Sequence, residues 1–173
     1  MKFFSANLQD LSELYVNKLQ KALDMEQQIT KALPKMIDKA TDPQLKQAFK
    51  GHLEETRGHV DKVERLLQQY GKDETISCKV LKSLVSEAEA GIKDAADESV
   101  RDVTLIAAAQ EVEHHEMAIY GTLRTWAVLL GEGEQAVVLE TILEEEKHAD
   151  LLLSGIADRV NVTAETGAYA GAR

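Results

Sequence analysis

Residues 106–123 read IAAAQEVEHHEMAIYGTL. At about 100° per residue, Ile106, Ala109, Tyr120 and Leu123 share one stripe of a helix, so the segment predicts an amphipathic helix with one apolar face. Two acids break the rule that this face be oily. Glu116 points near the centre of the stripe and Glu113 lies about one residue-step away, whereas His114 and His115 turn well away and are discounted as ligands.

The same anomaly recurs on three other helical stretches. On the first, spanning about Asn7 to Ala40, Glu26 points between Ala22, Leu23, Ile29 and Leu33. Pro34 falls inside this helix and predicts a kink. Thr41-Asp42-Pro43 is a break and restart, with Thr41 or Asp42 as cap and Pro43 in the first turn. On the second helix, which runs to about Tyr70, His52, Glu55 and His59 share a face with Leu45, Val63 and Leu66, and His59 stands almost above Glu55. A shorter helical segment at about Thr75–Ala95 links the halves. The Glu113/Glu116 helix spans about Glu98 to Leu130, and a final helix spans about Glu134 to Val160 before a loose tail, 161–173.

On the final helix two pairs compete. Glu145 and His148 have the three-residue spacing familiar from metal sites in bundles. Direction favours Glu146 and Asp150 instead: Glu146 lies well inside the Leu139/Ile142/Leu153/Ile156 stripe, and His148 lies about 120° from its centre.

An ionised carboxylate in an apolar interior costs several kcal/mol unless it is paired. Four helices that each turn acids inward therefore imply cations among them. The expected site comprises Glu26, Glu55, His59, Glu113, Glu116, Glu146 and Asp150, with His52 as the alternative to His59. Glu113 or Glu26 is expected to bridge. This oxygen-rich set with one or two imidazoles suits two divalent ions, iron first, with manganese or zinc as alternatives. Tyr15 and Tyr120 align with the acids and are candidate hydrogen-bond donors or plain packing aromatics.

The rest of the chain bounds the reading. A length of 173 residues fits one all-α domain at 1–160, built as an up-down four-helix bundle with a long crossover. The net charge of -10 argues against sequence-independent nucleic-acid binding. A single cysteine, Cys78, excludes an intrachain disulfide or thiolate cluster and reads as a packing residue. No apolar run reaches the ~20 residues needed to span a bilayer, and the N-terminus has no signal-peptide pattern, so a cytoplasmic location is expected.

In combination, Glu113-His114-His115-Glu116-Met117-Ala118-Ile119-Tyr120, His52-Leu53-Glu54-Glu55-Thr56 and Glu145-Glu146-Lys147-His148-Ala149-Asp150 resemble the YciF/YciE-type family of ferritin-like proteins. The resemblance extends over about Phe3–Val160, including Leu33-Pro34-Lys35-Met36 and Asp102 with Leu105-Ile106. It implies a ferritin-like bundle with an extra linking helix, a homodimer, an association with bacterial stress responses and a di-iron centre. A more distant similarity to rubrerythrin rests on the Glu113-x-x-Glu116 pair. The chain departs from that pattern where Glu-x-x-His is expected, with Gly58 and Ala149 in the histidine positions. Two functions follow as expectations. One is a di-metal protein that oxidises Fe(II) with peroxide or dioxygen, drawing any electrons for a peroxidase cycle from outside. The other is a non-catalytic helical scaffold whose inward acids are protonated or satisfied by His52, His59 and water.

Overall fold

The computed structural model describes residues 7–170. Phe3–Ala6, the first residues of the family resemblance, and 171–173, the end of the expected tail, lie outside the described residues. Five helices follow one another: α1 (Leu11–Lys39), α2 (Pro43–Gln68), α3 (Lys79–Asp94), α4 (Glu98–Leu129) and α5 (Gly133–Ala170). Among the described residues there is no strand, and no helix is long and apolar enough to cross a membrane.

The helix ends obey local chemistry. Asp10, Asp42 and Asp97 cap α1, α2 and α4, each carboxylate accepting backbone N–H groups of the first turn. Gly71 and Gly131 sit at φ 64° and 79°, and around each the chain closes a pair of reverse hydrogen bonds to the last helical turn. A side chain in that left-handed conformation would be strained, so these glycines end α2 and α4 where the sequence expects. Helix α1 runs without interruption through Pro34. One expectation is corrected. Helix α5 continues ten residues past Val160, so 161–170 is helical rather than loose.

Contacts at the two ends fix the topology. At one end the Tyr15 hydroxyl donates to Gln135 (2.8 Å) and its ring meets Tyr70 edge-on, bringing together the start of α1, the end of α2 and the start of α5. At the other, the Asp102 carboxylate at the start of α4 accepts from the Thr41 N–H and hydroxyl and the Asp42 N–H (2.6–2.8 Å), and Arg159 of α5 clasps Asp42. Each long helix is therefore antiparallel to its hairpin partner, α1 to α2 and α4 to α5, and the hairpins pack with α1 against α4 and α2 against α5. The connection from α2 to α4 must traverse the bundle's whole length. Helix α3 occupies that crossover, running alongside α1 from the Cys78 N–H on Asp24 (2.7 Å) to the Lys35–Glu89 ion pair (2.9 Å).

One core fills the bundle, and its inward positions alternate by three and four residues on every long helix. They are Leu19, Ala22, Glu26, Ile29 and Leu33 on α1, and Leu45, Phe49, His52, Thr56, His59, Val63 and Leu66 on α2. Helix α4 contributes Ile106, Ala109, Glu113, Glu116, Tyr120 and Leu123; α5 contributes Leu139, Ile142, Glu146, Ala149, Leu153 and Ile156. This alternation is the seam of a knobs-into-holes bundle. Apolar layers close both ends, and the charged side chains gather in the middle.

Candidate metal centre

Six ionisable side chains meet at mid-height. Glu26 (α1), His59 (α2), Glu116 (α4) and Glu146 (α5) are fully buried, and Glu113 and His52 nearly so. Two sets of donor atoms lie within 4.8 Å of one another: His52, Glu113, Glu116 and Glu146 form one, and Glu26, His59 and Glu146 the other. Glu146 belongs to both. It is His59 Nδ1 that approaches it, at 3.0 Å from Glu146 Oε1 and 3.8 Å from Glu26 Oε2, while His52 Nε2 stands 3.3 Å from Glu113 Oε1.

These atoms lack ordinary partners. Buried side-chain atoms without a hydrogen bond include one or both oxygens of Glu26, Glu113, Glu116 and Glu146, both nitrogens of His52, and His59 Nδ1. Native interiors leave few polar groups unsatisfied, so a convergent set of orphaned donor atoms is chemically suited to a cation. Burial and the neighbouring charges of Glu146, Glu26 and Glu113 push Glu116 well above the usual carboxylate range, and burial likewise raises Glu26. Glu113 is pushed up to about 8, chiefly by burial, against the opposing charge of His52. Burial alone would lower both histidines. The surrounding carboxylates reverse the sign, Glu55, Glu113 and Glu146 lifting His52 to about 9, and Glu146 and Glu26 lifting His59 to about 10. Without metal, the cluster therefore holds its charge balance with protons.

Partners outside the cluster orient it. Tyr120 donates its hydroxyl to Glu26 Oε1, as its alignment in the sequence suggested. Tyr15 instead serves the Gln135 network at the end of the bundle. His59 Nε2 lies 2.7 Å from Glu145, which also receives Lys62 (2.7 Å). With Nε2–H donated to Glu145, the Nδ1 lone pair faces the cluster, the arrangement in which a carboxylate behind an imidazole fixes its tautomer for metal binding. Burial works against the charge on Glu145, but Lys62 and His59 hold its carboxyl below the usual range.

The structure brings together Glu26, His59, Glu113, Glu116 and Glu146 of the sequence-derived set, and leaves Glu55 and Asp150 outside both groups. Glu55 is 45% exposed and stands 3.8 Å from His52 Nδ1. The inward place beside it belongs to Thr56, whose hydroxyl bonds the His52 carbonyl (2.7 Å). Asp150 turns to Gln110 (3.2 Å) and His114 (3.5 Å), because Ala149 takes the inward position one turn beyond Glu146. His52, an alternative in the sequence, becomes a central member. The seven-residue step from His52 to His59, in register with Leu45, Phe49, Val63 and Leu66, is the signal that selects it. Glu146, rather than Glu113 or Glu26, is the residue common to both groups.

The donor set fits metal. Two divalent cations would balance the four carboxylates Glu26, Glu113, Glu116 and Glu146 with both histidines neutral, and they would satisfy the orphaned atoms at one stroke. Carboxylate oxygen with imidazole is the ligand chemistry of iron, manganese and zinc.

Comparisons with known proteins agree with this architecture. A family described as "Domain of unknown function (DUF892)" matches residues 10–166. Protein YciF of Escherichia coli (strain K12) is 37% identical over 165 residues, covering 94% of this chain and 99% of that protein. The crystal structure of the E. coli stress protein YciF superposes with a TM-score of 0.85 at 35% identity, and YcfI from Rhodopseudomonas palustris with 0.84 at 39%; each covers 88% of this chain and 98% of the other. A protein from Xanthomonas campestris pv. campestris shares the fold, with a TM-score of 0.76 at 23% identity over 92% of this chain and 99% of its own. The chain belongs to the YciF-type family of helical-bundle proteins defined by that domain of unknown function.

Proposed function

We propose that this protein is a di-metal carboxylate protein of the stress response that binds two Fe(II) ions and oxidises them with peroxide or dioxygen. The observation that carries the reading is the pair of donor groups sharing Glu146. His52, Glu113 and Glu116 would serve one ion and Glu26 and His59 the other, with Glu146 common to both. Iron so held supplies redox chemistry that the side chains lack. The chain's own part is to exclude bulk solvent, to set Glu26 through Tyr120, to aim His59 through Glu145, and to release the protons that His52, His59 and Glu113 carry. E. coli YciF is called a stress protein, which supports the physiological half of the proposal.

Anaerobic Fe(II) titration tests it. The expected result is about two tightly bound ions per chain, lost in Glu113→Ala and Glu146→Ala, followed by a ferric absorbance when peroxide is added. Stoichiometric binding unchanged in both variants, or no binding at all, sinks the proposal.

The reading includes a cytoplasmic homodimer. Val137, Leu151 and Val162 of α5 are 58–69% exposed, and large exposed apolar side chains along one helix favour a partner surface. Sedimentation equilibrium is expected to give twice the chain mass, falling to one in Leu151→Glu.

A further inference from the structure

A cavity of about 430 Å³ opens between α1, α3 and α4, within the size range of small-molecule pockets. Its walls are apolar: Ile29, Leu33 and Met36 from α1, Val85 and Ile92 from α3, and Val112 from α4. The space exists because the residues facing across it, Ala32, Ala88 and Ala108, are too small to close it.

The polar groups of this cavity are sorted by height. Lys35 and Lys39 lie in the last turns of α1, Lys93 in the last turn of α3, and Arg101 in the first turn of α4, so all four cations line the end that carries the α1–α2 turn. Lys35 is paired with Glu89, and Arg101 donates to the Lys39 carbonyl and approaches Glu98. Lys39 and Lys93 have no carboxylate within 4 Å among the described residues. In a chain of net charge -10, a cationic rim on an apolar cavity is a local reversal of sign. At the inner end stand His52 and Glu113, more than nine-tenths buried, with both His52 nitrogens and Glu113 Oε2 unpartnered. From Arg101 to Glu113 the cavity follows α4 for about 18 Å at 1.5 Å per residue.

We propose that this cavity is a binding site for a single-chain amphiphile with an anionic head, of the fatty-acid class. The carboxylate sits at Lys39, Lys93 and Arg101, and the chain lies along Leu33, Met36 and Val112. A neutral or cationic head forfeits the rim. The site stands on walls present without metal, so it does not depend on the iron reading.

Calorimetric titration of the metal-free and the metal-loaded protein with octanoate, decanoate, decan-1-ol and decyltrimethylammonium tests the proposal. Decanoate is expected to saturate one site per chain, about fifteenfold tighter than octanoate because each of its two additional buried methylenes adds about 0.8 kcal/mol, near a fourfold gain. Decan-1-ol is expected at least tenfold weaker than decanoate, and decyltrimethylammonium without saturation. Ala88→Phe, which fills the space, is expected to abolish binding. The double variant Lys39→Gln/Lys93→Gln touches only exposed side chains and is expected to weaken decanoate about fivefold. Saturable decanoate binding lost in these variants supports the proposal even if no Fe(II) binds. It is overturned by no saturation with decanoate, by equal binding of all three heads, or by undiminished binding in the double variant.

Discussion

At the scale of single residues, the inward stripes separate members of the buried cluster from bystanders more sharply than acidity does. Glu55 and His52 are three residues apart and within 3.8 Å of each other, yet only His52 faces the carboxylates of the other helices. His52→Ala is therefore expected to weaken the tighter Fe(II) binding event by at least tenfold, whereas Glu55→Ala stays within about threefold of the parent. Parallel anaerobic titrations check both. Asp102 works at a different place. It gathers the Thr41 and Asp42 N–H groups and the Thr41 hydroxyl while almost fully buried, holding the first hairpin to the start of α4. Loss of these charge-assisted bonds in Asp102→Ala leaves two backbone donors without a partner and is expected to cost about 2–4 kcal/mol of stability, measured by urea unfolding.

At the scale of the helix, legibility varied with how strictly the three-four alternation was applied. The inward turn of Glu26, Glu113, Glu116 and Glu146 was readable because each acid sits between apolar neighbours of its own helix. Glu55 is read onto the face that carries His52, His59, Leu45, Val63 and Leu66, and Asp150 enters by its four-residue spacing to Glu146; either argument gives a shared side of a helix but not the seam itself. Thr56 and Ala149 hold the seam in those turns, and neither residue type advertises itself as inward. Pro34 lies inside a continuous α1, where Leu33 is buried in the core and Met36 packs against it. The crossover cavity was not legible at all, because it arises from three helices whose small residues happen to face one another.

The four seams also place the titration of the cluster under one rule. His52, His59 and Glu113 carry folded-state values of about 9, 10 and 8, above their ordinary 6.5, 6.5 and 4.5. A raised value means that the folded state binds protons more tightly than the unfolded chain. Their contribution to metal-free stability is complete below the unfolded values and is lost as pH rises, from about 4.5 to 8 for Glu113 and from about 6.5 to 9–10 for the histidines. Metal must displace the same protons, so its affinity moves the opposite way. The expected outcome is a Tm of the metal-free protein that falls between pH 6 and 9.5, while the increment in Tm from saturating Zn(II) or Mn(II) grows over that span. Differential scanning calorimetry at constant ionic strength reads both; an increment that shrinks with pH is inconsistent with binding at this cluster.

For the molecule as a whole, the fold was legible because four long amphipathic stretches and one polar linker leave few arrangements. The up-down course of the hairpins was legible with them, whereas the end contacts that hold it, such as Tyr15–Gln135 and Asp42–Arg159, were not. The two functional readings part company here. A scaffold whose acids are satisfied internally keeps its melting temperature under chelation, whereas a metal-braced bundle loses stability in proportion to the logarithm of free metal over its dissociation constant. Exhaustive dialysis against chelator followed by calorimetry is expected to lower Tm by several degrees, with full recovery on adding back Fe(II) under anaerobic conditions.

The long crossover divides the cluster's ownership. Glu26, His52 and His59 come from the first hairpin, and Glu113, Glu116 and Glu146 from the second, separated by the whole length of α3. Neither hairpin alone holds enough donors to compete for an ion, and each alone exposes charged groups on the face it must bury. On the metal-binding reading proposed above, ion capture would wait on docking of the two halves, which would make the cluster a checkpoint on maturation: a nascent or half-unfolded chain would not sequester the ion, and a chain that had captured it would have completed its topology.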